Sequence, residues 1–153
     1  LYAPNFEKFW AKEVAPDYSE YRTKAIELLG REAALLEIVR LVGMESLSNE
    51  ERLVIEVSRM LREDFLFQDA FSPEDAYTPL DRQYGMLKSM MVFYEAGLPV
   101  VTAEEFDFSS FTKIDSLSQV ATLKDKLEWT KDDFAKFQDQ VRSEITSLTA
   151  SAA

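Results

Sequence analysis

Apolar residues recur at spacings of three and four along nearly the whole chain, and that period predicts helices. A short amphipathic helix is expected around Phe6, Phe9 and Trp10, closed by a turn at Pro16. A long helix follows from about Ser19 to Val42, with Ala25, Leu28, Leu29, Leu35, Ile38, Val39 and Val42 on its apolar side. Gly30 sits inside it, at a cost of about 1 kcal/mol relative to Ala, and suggests a local bend or a close approach. Gly43 ends the helix. A second helix is predicted from about Asn49 to Ala70, long enough to reach roughly 30 Å. A third, from about Pro79 to Ala96, carries Leu80, Tyr84, Leu87, Met91 and Tyr94, and Gly97 stands where a left-handed C-terminal cap would stand. The last helix runs from about Lys131 to Leu148, with Phe134, Phe137, Val141, Ile145 and Leu148 on one stripe. Between Leu98 and Phe111 the pattern is indistinct, and Leu98 to Val101 is the one stretch that reads as a strand. The fold class is therefore all-α, a helical bundle.

Four start signals of the form Ser/Thr-x-x-Asp/Glu punctuate this pattern: Ser48 with Glu51, Thr78 with Asp81, Thr102 with Glu105, and Thr130 with Asp133. In each, the first side chain can accept from an orphan backbone N–H of the first helical turn. Pro79 directly after Thr78 suits the first helical position, because its φ is preset and its missing N–H is not needed there.

Composition then narrows the possibilities. With 153 residues, 46% of them hydrophobic, the chain can bury one core and has little reason to divide, so residues 1–153 read as a single domain. Its formal charge of −11 disfavours nucleic acid and anionic bilayers as partners. The absence of Cys and His removes disulfides, thiolate nucleophiles, the usual zinc ligands and the commonest general base. No apolar run approaches the roughly 18 to 20 residues of a membrane span, and no leader pattern opens the chain, so a soluble, reducing compartment without membrane insertion is expected. The chain opens on Leu1, in what reads as mid-protein sequence, and a piece of a longer protein is expected. No internal repeat is present, and the Ser/Thr/Ala-rich stretch 147–153 reads as frayed.

Catalytic motifs are missing: there is no phosphate loop, no GxGxxG, no HExxH and no GxSxG. No catalytic residue and no metal ligand is assigned, and the abundant carboxylates read as solvated helical charge. On these grounds alone the chain is a stand-alone acidic helical interaction module. One stretch resists that reading. REDFLFQDAFSPEDAYTP, Arg62 to Pro79, gathers aromatic residues where a helix gives way to a turn. Phe65 and Phe67, two apart, lie on different sides of one helix, so at least one should pack in the core. Phe71 and Tyr77 fall in the loop itself.

The ordered segments ELLGREAALLEIVRLVG (Glu27 to Gly43), LVGMESLSNEERLVIEVSRMLREDFLFQDAFSPEDAY (Leu41 to Tyr77) and DRQYGMLKSMMVFYEAG (Asp81 to Gly97) resemble a known family. It is the C-terminal helical domain of the catalytic A subunit of archaeal and bacterial A/V-type rotary ATPases. The resemblance covers about the first hundred residues, so 1–97 forms a family-like core. Beyond it LPVVTAEEFDFSSFTKIDSLSQ departs from the shorter connections of the family, and 98–153 reads as a divergent helical extension. The resemblance implies that the phosphate loop, catalytic glutamate and Mg-ATP ligands lie upstream, that this piece holds no cofactor, and that alone it is inactive. It further implies ATP and ADP as ligands of the full subunit, non-catalytic B subunits alternating with it in a hexamer, and a central-stalk shaft as partner. ATP hydrolysis or synthesis would be coupled to shaft rotation and to proton or sodium transport, in a cytoplasmic sector peripheral to the membrane.

Two sites follow from the resemblance. Phe71 and Tyr77 would flank the adenine ring, where aromatic stacking is worth roughly 1 to 3 kcal/mol per base. The family more often has Gln-Gln-Asn/Asp-Ala-Phe where this chain has Phe67-Gln68-Asp69-Ala70-Phe71. GMESLSNEER, Gly43 to Arg52, is similar to the acidic turn that the related F-type β subunit presents to its shaft as DELSEED. Glu45, Leu47, Ser48, Glu50 and Glu51 keep the type or charge of that motif and would contact the stalk, while Ser46 and Asn49 replace acidic residues. Ser48 and Glu51 are equally explained as a helix cap. A stiff helix pair would carry displacement from this tip to the loop near Phe71.

Overall fold

In the computed structural model, residues 16–66 and 80–152 are described. The expected first helix, Phe67, the Thr78 start with Pro79, and both Phe71 and Tyr77 lie outside them. Among the described residues the regular structure is helical, with no strand. Six α-helices follow in order: α1 Tyr18–Val42, α2 Asn49–Met60, α3 Leu80–Val101, α4 Phe108–Phe111, α5 Asp115–Gln119 and α6 Lys131–Ala152. A 3-10 turn at Met44–Ser46 joins α1 to α2, a π-helical segment at Leu61–Leu66 prolongs α2, and a 3-10 stretch at Val120–Asp125 follows α5.

Helix α3 lies at the centre because its apolar residues are not confined to one stripe: Met86, Leu87, Met90, Met91, Val92 and Phe93 are all buried. Such a helix must be covered on several sides. Helix α2 covers one with Leu53, Val54, Val57 and Met60, and α6 another with Phe134, Phe137, Val141 and Ile145. Each such burial is worth roughly 1.5 to 3 kcal/mol. The α3–α6 contact is close because Gly85 has no side chain, and it encloses a polar knot. Ser89 Oγ donates to the Gly85 carbonyl at 2.6 Å, and Gln138 Nε2 donates to Ser89 Oγ at 3.1 Å.

Helix α1 buries Tyr18, Ala25, Leu28 and Leu35, a narrower stripe than its sequence suggests. Ile38 and Val42 are 40% and 66% exposed, because the outer end of α1 runs past the core toward the turn. Three contacts hold the helix. Tyr84 Oη donates to Asp17 Oδ1 at 2.7 Å, Ser58 Oγ donates to the Leu28 carbonyl at 3.0 Å, and Arg62 Nη2 pairs with the buried Glu32 at 2.9 Å.

Several expectations are corrected. Gly30 marks no close approach: it is exposed, and a Cβ there would meet nothing within 4 Å. Gly97 does not cap α3, and Leu98–Val101 is not a strand: the helix continues to Val101 through Pro99. Gly97 is small because α3 approaches two neighbours there, and a Cβ would stand 3.0 Å from the Phe111 ring and 3.3 Å from Leu53. Val101 is fully buried, and this tertiary gain outweighs the poor helix propensity of Gly97 and Pro99. Thr102 does not start a helix with Glu105. Its hydroxyl donates back to the Leu98 carbonyl at 2.7 Å, and Asp107 caps the next helix instead, accepting from Ser109 N at 3.0 Å. The second helix is α-helical only to Met60 before it turns to π geometry, with Phe65 half-buried against the core. The box at Thr130 forms, Thr130 N donating to Asp133 Oδ2 at 2.8 Å.

Candidate functional site

The turn between α1 and α2 is stiff for reasons that start with one residue. Gly43 takes φ 94° and ψ 163°, a conformation open to glycine and strained for any residue with a Cβ, while its N–H still donates to the Val39 carbonyl at 2.8 Å. The chain leaves α1 abruptly there. Ser46 Oγ then donates to the Gly43 carbonyl at 2.7 Å, which tightens the 3-10 turn. Ser48 takes extended geometry and closes a reciprocal box. Glu51 N donates to Ser48 Oγ at 3.2 Å, and Ser48 N donates to Glu51 Oε1 at 2.9 Å. Arg52 reaches back to donate to the Met44 carbonyl at 3.3 Å.

The five residues matched to the stalk-contacting motif are therefore placed differently. Glu45 is exposed on the turn. Glu50 is half-exposed and faces Arg31 of α1 at 3.6 Å. Ser48 and Glu51 are engaged in the cap. Leu47 is 6% exposed and anchors the turn on the core, so its side chain is directed away from solvent. Outward instead stand Leu41 at 74%, Val42 at 66% and Met44 at 42% exposure, none of which is among those five residues.

In the sequence, Asn49 is no more than an acidic residue replaced. In the fold its side-chain amide crosses to the far end of α3, donating to the carbonyls of Val101 at 3.1 Å and Phe106 at 2.9 Å. Those partners are 52 and 57 residues away, and no local pattern announces them.

Phe71 and Tyr77 lie outside the described residues, but the segments that lead to and from residues 67–79 are described. On one side is the π segment. There Asp64 is buried, and burial holds its carboxyl above the usual range against the opposing influence of Lys124. On the other side is the first turn of α3. Arg82, 4% exposed, donates from Nη2 to the carbonyls of Leu123 and Lys124 at 2.9 and 2.8 Å, and Asp81 pairs with Lys131 at 3.7 Å. No group of three or more possible metal-binding side chains occurs among the described residues, and no helix among them is long and apolar enough to cross a membrane.

Residues 7–108 match the family described as the C-terminal domain of V and A type ATP synthase. The chain is 42% identical over 124 residues to the A subunit of the A-type ATP synthase of Methanopyrus kandleri, covering 81% of this chain and 21% of that relative. It is 36% identical over 154 residues to the A subunit of the A-type ATP synthase of Staphylothermus marinus, covering 99% of this chain and 26% of that relative. It is 50% identical over 95 residues to the V-type ATP synthase alpha chain of Thermoanaerobacter pseudethanolicus, covering 62% of this chain and 16% of that relative. The likeness thus carries past Gly97, and the chain spans about a quarter or less of the curated relatives it matches. A helical chain with this motif order, matched over two thirds of its length, belongs to the C-terminal domain family of V and A type ATP synthase.

Proposed function

We propose that this domain is the mechanical end of a catalytic A subunit, linking ATP hydrolysis or synthesis to rotation of a central shaft and to proton or sodium transport. The observation that carries the proposal is the construction of the tip. A glycine turn, a reciprocal cap and an anchored leucine make residues 43–52 one stiff body, and α2 with its π extension leads from that body toward the segment that bears Phe71 and Tyr77. In this reading the shaft is met by the exposed part of the tip, Glu45 and Glu50 together with Leu41, Val42 and Met44. The cap residues Ser48 and Glu51 act by holding its shape. Phe71 and Tyr77 supply an aromatic edge for adenine, while Mg-ATP chemistry belongs to the upstream part of the full protein and to the ring it forms with B subunits.

Two measurements on the full-length protein test this. In the assembled complex, Glu45→Lys with Glu50→Lys is expected to lower ion transport per ATP turned over, with turnover itself retained. For nucleotide binding, Phe71→Ala is expected to weaken Kd about tenfold, or roughly 1.4 kcal/mol. Unchanged coupling in the first case removes the lever from this domain, and unchanged affinity in the second removes Phe71 from the nucleotide site.

A further inference from the structure

Residues 67–79 connect two helical stems, and the far ends of those stems meet. The π segment after α2 ends at Leu66, and α3 begins at Leu80. Followed away from that connection, α2 leads back to Asn49 and α3 leads on to Val101. At that end the Asn49 amide bridges the two, donating to the carbonyls of Val101 and Phe106. The Val101 carbonyl is among the last four of α3, which have no partner within their own helix. At about 1.5 Å per residue, the 22 residues of α3 put this junction roughly 33 Å from the start of the helix.

We infer that Asn49 is a positioning residue: a clamp that makes the tip and the end of α3 move as one body, so that displacement at the tip reaches both stems of the aromatic segment. The inference rests on the lever reading above and adds a second route to it. Without the clamp, the tip would reach that segment along α2, whose route passes through the π segment where the helical hydrogen-bond register changes, and would act on α3 only through apolar side-chain packing. Through α3 the path keeps α-helical geometry throughout, with one ladder bond missing at Pro99, and is fastened near its start by Arg82 to the backbone of Leu123 and Lys124.

The chemistry of the residue fits this role. Two converging carbonyl oxygens require a donor, and a carboxamide supplies two N–H groups from one nitrogen. A carboxylate of the same shape would set negative charge against both oxygens. This gives a physical reason for an amide at a position where the related acidic motif carries an acid.

The test uses the full-length protein in the assembled, membrane-reconstituted complex, with ATP turnover and ion transport measured together. Asn49→Asp keeps the shape and removes the donors. It is expected to lower transport per ATP severalfold, with turnover retained. Asn49→Gln, which restores the donors, is expected to recover most of the ratio. Where the Asn49→Asp protein fails to assemble, Asn49→Ala is read in the same way. An unchanged ratio overturns the clamp, and so does a proportional fall of turnover and transport, which is what a merely structural residue would give. Glu45→Lys with Glu50→Lys separates the two readings. If that pair lowers the ratio and Asn49→Asp does not, the lever stands and the clamp fails; if neither does, the lever reading fails as well.

Discussion

Two glycines in two long helices should respond oppositely to the same added methyl group. At Gly85 a Cβ would lie 2.6 and 2.7 Å from two carbons of the Phe134 ring. Carbon atoms pack best at about 3.5 to 4.0 Å, so the ring would have to recede by about 1 Å. Phe134 is 2% exposed and Trp129 meets it edge-on with centroids 5.2 Å apart, so a shift of the ring disturbs that contact. Overpacking of this kind costs about 1 to 3 kcal/mol, against which Gly→Ala in a helix returns up to about 1 kcal/mol. The expected net result for Gly85→Ala is a loss of up to about 2 kcal/mol. At Gly30 nothing stands within 4 Å, so only the propensity gain remains and Gly30→Ala should stabilise by about 0.5 to 1 kcal/mol. Urea unfolding followed by circular dichroism reads both changes as shifts of the midpoint in opposite directions at unchanged slope. Combining Gly85→Ala with Phe134→Leu should be less damaging than the sum of the two by about 1 kcal/mol or more, because the residues touch. Midpoints that move in the same direction, or additive effects of Gly85→Ala and Phe134→Leu, would refute the packing argument.

Other consequences can be checked on the same chain. Ser48→Ala removes the acceptor for Glu51 N and should cost about 1 kcal/mol in thermal or urea unfolding, with loss of amide-exchange protection concentrated in the first turn of α2. Arg62→Ala leaves Glu32, 5% exposed, without its guanidinium and should cost about 2 kcal/mol, whereas Arg40→Ala, whose pair with Glu37 is solvent-exposed, should cost less than about 0.5 kcal/mol. For Glu144, burial pushes the carboxyl up, but donors from Gln140 and the Ser116 backbone outweigh it and hold the carboxyl below its ordinary range. Its contribution is therefore present above the unfolded carboxylate value of about 4.3 and lost as pH falls through the lower folded value. Glu144→Gln should flatten that part of the acid limb in a stability-versus-pH series. Asp64 has the opposite sign: its carboxyl is raised by burial, so Asp64→Asn should stabilise the fold at neutral pH.

What the sequence determined by itself is local. A spacing of three and four needs no partner to be recognised, and it located α1 and α6 within a residue or two at their starts. The Ser48–Glu51 and Thr130–Asp133 boxes and the Gly43 turn are closed by residues three or four positions apart, so their letters suffice. The order of motifs likewise carries the family without any help from the fold. Tertiary structure decided wherever a residue answers to something distant. Gly97 reads as the end of a helix, yet burial of Val101 and the approach of Phe111 and Leu53 keep the helix going through Pro99. Leu47 reads as part of a contact surface and faces the core, while Val42 reads as core and faces solvent, because the direction of a side chain depends on where the neighbouring helices stop. Asn49 is the clearest case. Its letter says only that an acid is missing, and its role exists because the fold brings two carbonyls from 52 and 57 residues away within reach of one amide nitrogen.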